Sequence, residues 1–288
     1  MSLEFHKAIR SQSKARLAIC GPAGAGKTYT ALTAAEAFKG DSQIAVIDTE
    51  RGSSSLYADV FNFNVLELGH FDPLQYVEAI KAAEGDSRFR VLVIDSLSHA
   101  WEGEDGALDQ VDQNAARYKG NSFAAWRTVT PKHRKLVDTM LQSNLHIIAT
   151  MRTKMDYVIE QDGQGKSIVR KVGLAPVQRA GIEYEFTWVV DMDLDHNAVV
   201  SKSRAEGLAD LVVNKPGVTW FSHFYNWLMI GQEPVRTKQE LINFGESMGL
   251  NVEDVATALH DADLHWSPDL WADMTSAVIQ YAKNTHKS

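Results

Sequence analysis

Residues 21–28 read Gly21-Pro22-Ala23-Gly24-Ala25-Gly26-Lys27-Thr28, a run with the spacing G-x-x-x-x-G-K-[ST]. A loop that holds phosphate through its backbone must bring several N–H groups to one point, which takes small residues and unusual dihedrals. The helix that follows adds its N-terminal donors and the positive end of its dipole. In such a loop Lys27 reaches the β and γ phosphates, and the Thr28 hydroxyl is a ligand for Mg²⁺. The surroundings agree. Leu17-Ala18-Ile19-Cys20 predicts a buried strand ahead of the loop, and Lys27 to Lys39 predicts an alanine-rich helix closed by Gly40. The run therefore reads as a nucleoside-triphosphate site, with ATP and Mg²⁺ as the expected ligands.

Working outward, short apolar runs alternate with helical patterns. Ile44-Ala45-Val46-Ile47, Val65 to Leu68, Arg90 to Ile94 and Leu145 to Ala149 predict strands. Pro73 to Ala83 predicts a helix capped by Asp72, and Phe123 to Leu141 a helix broken at Thr130-Pro131. That alternation predicts an α/β fold with a mainly parallel sheet covered on both faces. Tyr157 to Glu160 and Ser167 to Arg170 flank a glycine-bearing turn and predict a hairpin within residues 153–182. Gly231 to Pro234 is the best linker candidate. It divides a core at 1–232 from a small helical bundle at 233–288, whose helices start near Thr237, Asn251 and Ser267.

Composition bounds the function. The 288 residues carry 29 Lys and Arg against 37 Asp and Glu, a formal net charge of −8, so any nucleic-acid contact needs a local basic surface. Cys20 is the single cysteine, which excludes an intrachain disulfide and a cysteine zinc site. The absence of an apolar leader or a membrane-length apolar run points to a cytoplasmic protein.

Two carboxylates complete the phosphate site. Asp95, at the end of an apolar strand, suits a magnesium-ordering role facing the phosphates. Glu50, in Ile47-Asp48-Thr49-Glu50-Arg51, suits the base that polarises the attacking water.

At this point a family resemblance emerges. Ile47 to Glu50, followed seven residues later by Tyr57, resembles the corresponding segment of RecA, and Val93-Ile94-Asp95-Ser96 resembles its Walker B strand. Thr150 stands where that family has a γ-phosphate sensor, usually glutamine, and Lys202-Ser203-Arg204 resembles the basic pair that reaches a neighbouring subunit's ATP. The agreement in order and spacing covers residues 15 to 205. With Gly173 to Gly181 and Glu183-Tyr184-Glu185-Phe186, the chain is similar to phage-encoded AAA-type ATPases, compact RecA-like single-strand annealing proteins. The resemblance implies a RecA-like P-loop core, Glu50 activating water, Tyr57 stacking on adenine, and Lys202 and Arg204 acting across a subunit boundary. It also implies a homo-oligomer, ring or filament, that recombines phage DNA in the bacterial cytoplasm, with a single-strand-binding protein as a further candidate partner.

In RecA-like filaments the loop after the sensor strand enters the DNA channel. The matching segment here carries Arg152, Lys154, Lys166, Arg170, Lys171 and Arg179 against Asp156, Glu160 and Asp162. That local excess of cations suits single-stranded DNA. The loop from Ala100 to Ser122 is too acidic in its first half to grip a phosphate backbone, with Arg117, Lys119 and Asn121 at its end as further candidates to approach DNA, while Trp101 and Trp126 read as packing residues. Two other classes stay open: a phosphotransferase acting on a small acceptor, and a nucleotide-controlled switch whose tail docks a partner.

Overall fold

The computed structural model describes residues 10–161, 167–231 and 237–266, with 274, 277, 278, 280–282 and 285 beyond them. In chain order the core contains β1 (Arg16–Gly21), α1 (Lys27–Lys39), β2 (Gln43–Asp48), β3 (Phe63–Glu67), α2 (Pro73–Glu84) and β4 (Phe89–Asp95). There follow α3 (His99–Glu102), α4 (Ala107–Arg117), α5 (Ser122–Gln142), β5 (His146–Gln161), β6 (Ser167–Pro176), β7 (Trp188–Met192), β8 (Asn197–Ser203), β9 (Val212–Asn214) and α6 (Val218–Leu228). The last described helices are α7 (Lys238–Ser247) and α8 (Val252–Asp261).

β1 is buried along its whole length, as a central strand covered on both faces must be. The strand order is β3-β2-β4-β5-β1-β7-β8-β9, with β6 paired to β5. The pairings from β3 through β7 along that order are parallel, and β8 and β9 add antiparallel partners at one edge. This mostly parallel sheet with helices around it is an α/β RecA-like P-loop core. One apolar cluster joins Ala18, Ile47, Leu92 and Ile147 of the sheet to Tyr76 and Ile80 of α2 and Leu136 and Met140 of α5. Trp188 on β7 is fully buried against Trp220, Phe221 and Phe224 of α6, its ring 4.5 Å from that of Phe224.

Two expectations need correction. The helix predicted to break at Thr130-Pro131 is continuous from Ser122 to Gln142, with Pro131 inside it. Ala125, Val129, His133, Leu136 and Met140 form a buried stripe that continues past the proline, and Pro131 itself is exposed. The strand expected to stop at Ala149 instead runs on to Gln161. Its extension pairs with β6 from Thr153↔Pro176 to Gln161↔Ser167, so the hairpin is an outgrowth of a core strand. Trp101 and Trp126 stack on each other at 5.6 Å, beside the cluster formed by Ala107, Val111, Ala125 and Val129.

His133 anchors α5 to the segment that follows the hairpin. Its Nε2 lies 2.8 Å from Gln178 Oε1, which also accepts the Arg179 N–H, and Gln178 Nε2 donates to the Leu97 carbonyl. Burial lowers the His133 pKa, against an opposing contribution from Gln178. A histidine held neutral in the fold takes up a proton more readily when unfolded. Its contribution is therefore complete above the unfolded value of about 6.5 and declines as pH falls from there toward the folded value. Urea melts at pH 7.5 and 5.5 should show a smaller acid-side loss of stability in His133→Gln than in the native chain. Equal losses would exclude His133 from the effect.

The chain divides into two compact units, Lys14–Trp227 and a second formed by Leu228–Ser288 with Met1–Ser13. In the second unit Thr237 and Asn251 cap α7 and α8, each in a reciprocal capping box with Glu240 or Asp254. Leu241, Leu250, Val255, Ala258, Met274, Val278 and Ala282 form its own core. The helix start expected near Ser267 lies outside the described residues.

Candidate nucleotide site

The phosphate loop connects β1 to α1. Gly24 and Gly26 sit at φ of 83° and 85°, backbone angles that a side chain disfavours and that turn successive N–H groups inward. Lys27 Nζ donates to the Pro22 carbonyl at 2.8 Å, so the ammonium lies across its own loop. Burial pushes its pKa down, and Glu50 and Asp95 pull it back up.

Parallel pairing brings the remaining groups to the same end of the sheet. Asp48 and Asp95 face each other in the β2–β4 register, and Thr49 N–H donates to the Asp95 carbonyl at 2.8 Å. Asp95 is 1% exposed; Thr28 Oγ1 donates to its Oδ2 at 2.7 Å and Thr150 Oγ1 donates to its Oδ1. Burial raises the Asp95 pKa, with these two hydroxyls acting in the opposite sense. Asp48 shapes the loop that carries Glu50. Its carboxylate accepts from the N–H groups of Glu50 at 2.7 Å and Ser54 at 2.9 Å, and from the Ser54 hydroxyl.

These residues open onto one cleft of about 1090 Å³, lined by Ala23 to Thr30, Glu50, Tyr57, Phe61, Asp95 and Arg152, and on another side by Met192, His196 and Lys215 to Val218. That volume suits a nucleotide. Tyr57 belongs to an aromatic wall in which Tyr29 meets Tyr57 at 5.8 Å and Phe61 at 5.1 Å, both edge-on. An apolar wall of this kind accepts the face of a base.

The structure thus brings Gly21 through Thr28, Glu50, Tyr57 and Asp95 together, and it relocates other predicted residues. Arg152, expected on DNA, lines the cleft and donates through Nε and Nη2 to Glu50 Oε1 at 3.1 and 2.9 Å. Thr150, expected to sense the γ-phosphate, is fully buried, with its hydroxyl donating to Asp95. Lys202 is tied to its own chain, donating to the carbonyls of Glu183 and Tyr184 at 2.9 and 2.7 Å, while Arg204 is exposed. Lys154 and Arg179 are exposed. Lys166 and the side chains of Arg170 and Lys171 lie outside the described residues.

Sequence reasoning missed Asp48, Tyr29, Phe61, His196 and Lys215. Tyr29 directly follows the loop motif, and Asp48 sits within the stretch that carries Glu50, so a local signal existed for both. His196 and Lys215 arrive from turns distant in sequence, with His196 Nδ1 3.2 Å from the Ala25 carbonyl and Lys215 N–H donating to the His196 carbonyl at 2.9 Å.

The family described as AAA domain matches residues 13–217. The chain belongs to the AAA-domain family. That match supports reading this AAA domain as a nucleotide-binding P-loop ATPase. Among solved structures, the ATPase Domain of G40P is similar at 12% identity, covering 70% of this chain and 81% of that one, with a TM-score of 0.38. No curated protein matches the chain. Among the described residues, no helix is long and apolar enough to cross a membrane.

Proposed function

We propose that this AAA domain hydrolyses ATP and couples turnover to single-stranded DNA, in strand annealing or exchange. The observation that carries the ATPase half is the convergence of Lys27, Thr28, Asp95 and Glu50 on one cleft. In the reaction, the oxygen of a water bonds to the γ-phosphorus as the bond to the bridging oxygen breaks, and that oxygen leaves on ADP. Glu50 accepts the proton the water gives up, and Lys27 offsets the charge on the β and γ phosphates. Magnesium fits the donor set. The Thr28 hydroxyl and the Asp95 carboxylate, 2.7 Å apart, are the hard oxygens that Mg²⁺ takes together with water and phosphate. When bound, it would neutralise charge developing on the transferred phosphoryl group.

The DNA half is supported by the charge pattern along α4 and α5. From Gln113 to Val137 the chain carries Arg117, Lys119, Arg127, Lys132, Arg134 and Lys135 and no acid, in a protein of net charge −8. Lys132 pairs with Asp72, and the other five are exposed. Phe123, Arg127 and Arg134 follow helical spacing along one face, spanning about 16 Å. Phe123, in the first turn of α5, is 81% exposed, and Tyr118, just past the end of α4, is 42% exposed. Cations for phosphates with aromatic faces for bases are what an extended single strand requires. Oligomerisation, with Arg204 reaching a neighbouring cleft, and a place in phage recombination follow from the family resemblance.

Anisotropy of a labelled oligonucleotide at several salt concentrations tests this reading. Arg117→Glu/Lys119→Glu/Arg127→Glu should weaken binding and lower the salt slope by about 2, given roughly 0.7 per phosphate contact on a single strand. Unchanged affinity and slope would remove α4 and α5 from the DNA surface.

A further inference from the structure

Arg152 does more in this cleft than its position in sequence implies. It is the last residue of β5 in register with β1, opposite Gly21, where the phosphate loop begins. The next residue, Thr153, starts the ladder of the β5–β6 hairpin. Its backbone is fixed on both sides: the N–H donates to Ser98 Oγ at 2.9 Å, and the carbonyl accepts from Val177 N–H at 2.7 Å. From that anchored point the guanidinium reaches into the cleft that Lys27 and Asp95 also line, and places Nε and Nη2 on Glu50 Oε1. These contacts use two of the five N–H groups a guanidinium carries, all on one rigid fork. The Thr150 hydroxyl, meanwhile, is engaged by Asp95.

We propose that Arg152 is the γ-phosphate sensor of this domain, a cation supplied by the same chain that holds Glu50 and reads the nucleotide. Before ATP binds, Arg152 fixes the Glu50 carboxylate through Oε1. With ATP in the cleft, the remaining donors of the fork meet the γ-phosphate oxygens, a charge-assisted contact that ADP cannot supply. The same side chain then sets the distance between Glu50 and the phosphorus, so the base is aligned only for a triphosphate. Arg152 thereby touches substrate and positions the base in one step.

The inference rests on the ATPase reading, and the experiment separates the two. Binding of ADP and of a non-hydrolysable ATP analogue, with phosphate release from ATP, would be measured for the native chain, Arg152→Gln and Arg152→Lys. The native chain should prefer the analogue. Arg152→Gln should lose about 10- to 100-fold in analogue affinity, the range for hydrogen bonds to a charged group, while ADP affinity stays within twofold. Its kcat should fall about 100-fold, and Arg152→Lys should recover part of the discrimination. If ADP and the analogue weaken equally, or if the preference for the analogue survives in Arg152→Gln, Arg152 is not the sensor. A native chain that neither binds the analogue nor releases phosphate would overturn the ATPase reading, and this inference with it.

Discussion

Glu50→Gln should bind ATP with native affinity and turn it over 10²- to 10⁴-fold more slowly, the range expected when a positioned general base is removed. The loop should keep its shape in this variant. Asp48 holds it through the backbone N–H groups of residues 50 and 54 and through the Ser54 hydroxyl, none of which involves the residue-50 side chain. Glutamine keeps a carbonyl oxygen able to accept from Arg152, so the ion pair weakens while the geometry persists. Single-turnover phosphate release alongside equilibrium binding separates the two effects. Native turnover in Glu50→Gln would remove Glu50 from the chemistry and leave the cleft without its base.

Lys27→Ala should cost the affinity itself. The ammonium is half-removed from water, lies against the Pro22 carbonyl and shares the cleft with Glu50 and Asp95. On binding, triphosphate oxygens take its donors. Losing a charge-assisted contact of this kind costs about 3 kcal/mol, roughly 100-fold in affinity. The variant should also lose charge stabilisation in the transition state, so turnover should fall further than binding. The fold should survive, because Gly24 and Gly26 set the loop's dihedrals and β1 packs without help from Lys27. Calorimetric titration with ATP and with ADP measures the loss directly. An affinity unchanged within twofold would mean that the nucleotide does not sit on this loop.

The phosphate loop and the strands beside it were legible because their signals are local. Gly24, Gly26 and Lys27 lie within a few residues of one another, and the buried runs at 17–20, 44–47 and 90–94 are short and apolar throughout. Thr237 and Asn251 were legible for the same reason, since a capping box closes within four residues. Arg152 was not. Its charge suggested DNA, but its partner Glu50 lies 102 residues earlier, and only the order of β2, β4, β5 and β1 in the sheet brings the two together. The contact that Thr150 makes was hidden for a related reason. Thr150 and Arg152 share one face of β5, and the register puts the Thr150 hydroxyl on the buried Asp95 while Arg152, two residues nearer the end of the shared ladder, reaches the cleft. His196 and Lys215 carry no motif at all; each has positive φ in a turn distant in sequence from the loop it faces. Pro131 misled in the opposite direction. A local rule against proline inside a helix gave way to the packing of a 21-residue helix whose buried stripe continues past it.

The most direct test of the central claim is phosphate release from ATP by the purified chain, alone and with single-stranded or duplex DNA, at two salt concentrations. The account predicts turnover that single strands accelerate, with the acceleration shrinking as salt rises. Turnover indifferent to every DNA would leave the cleft its chemistry and transfer the function to a partner-driven switch or a phosphotransferase. No phosphate release under any of these conditions would contradict the account at its base.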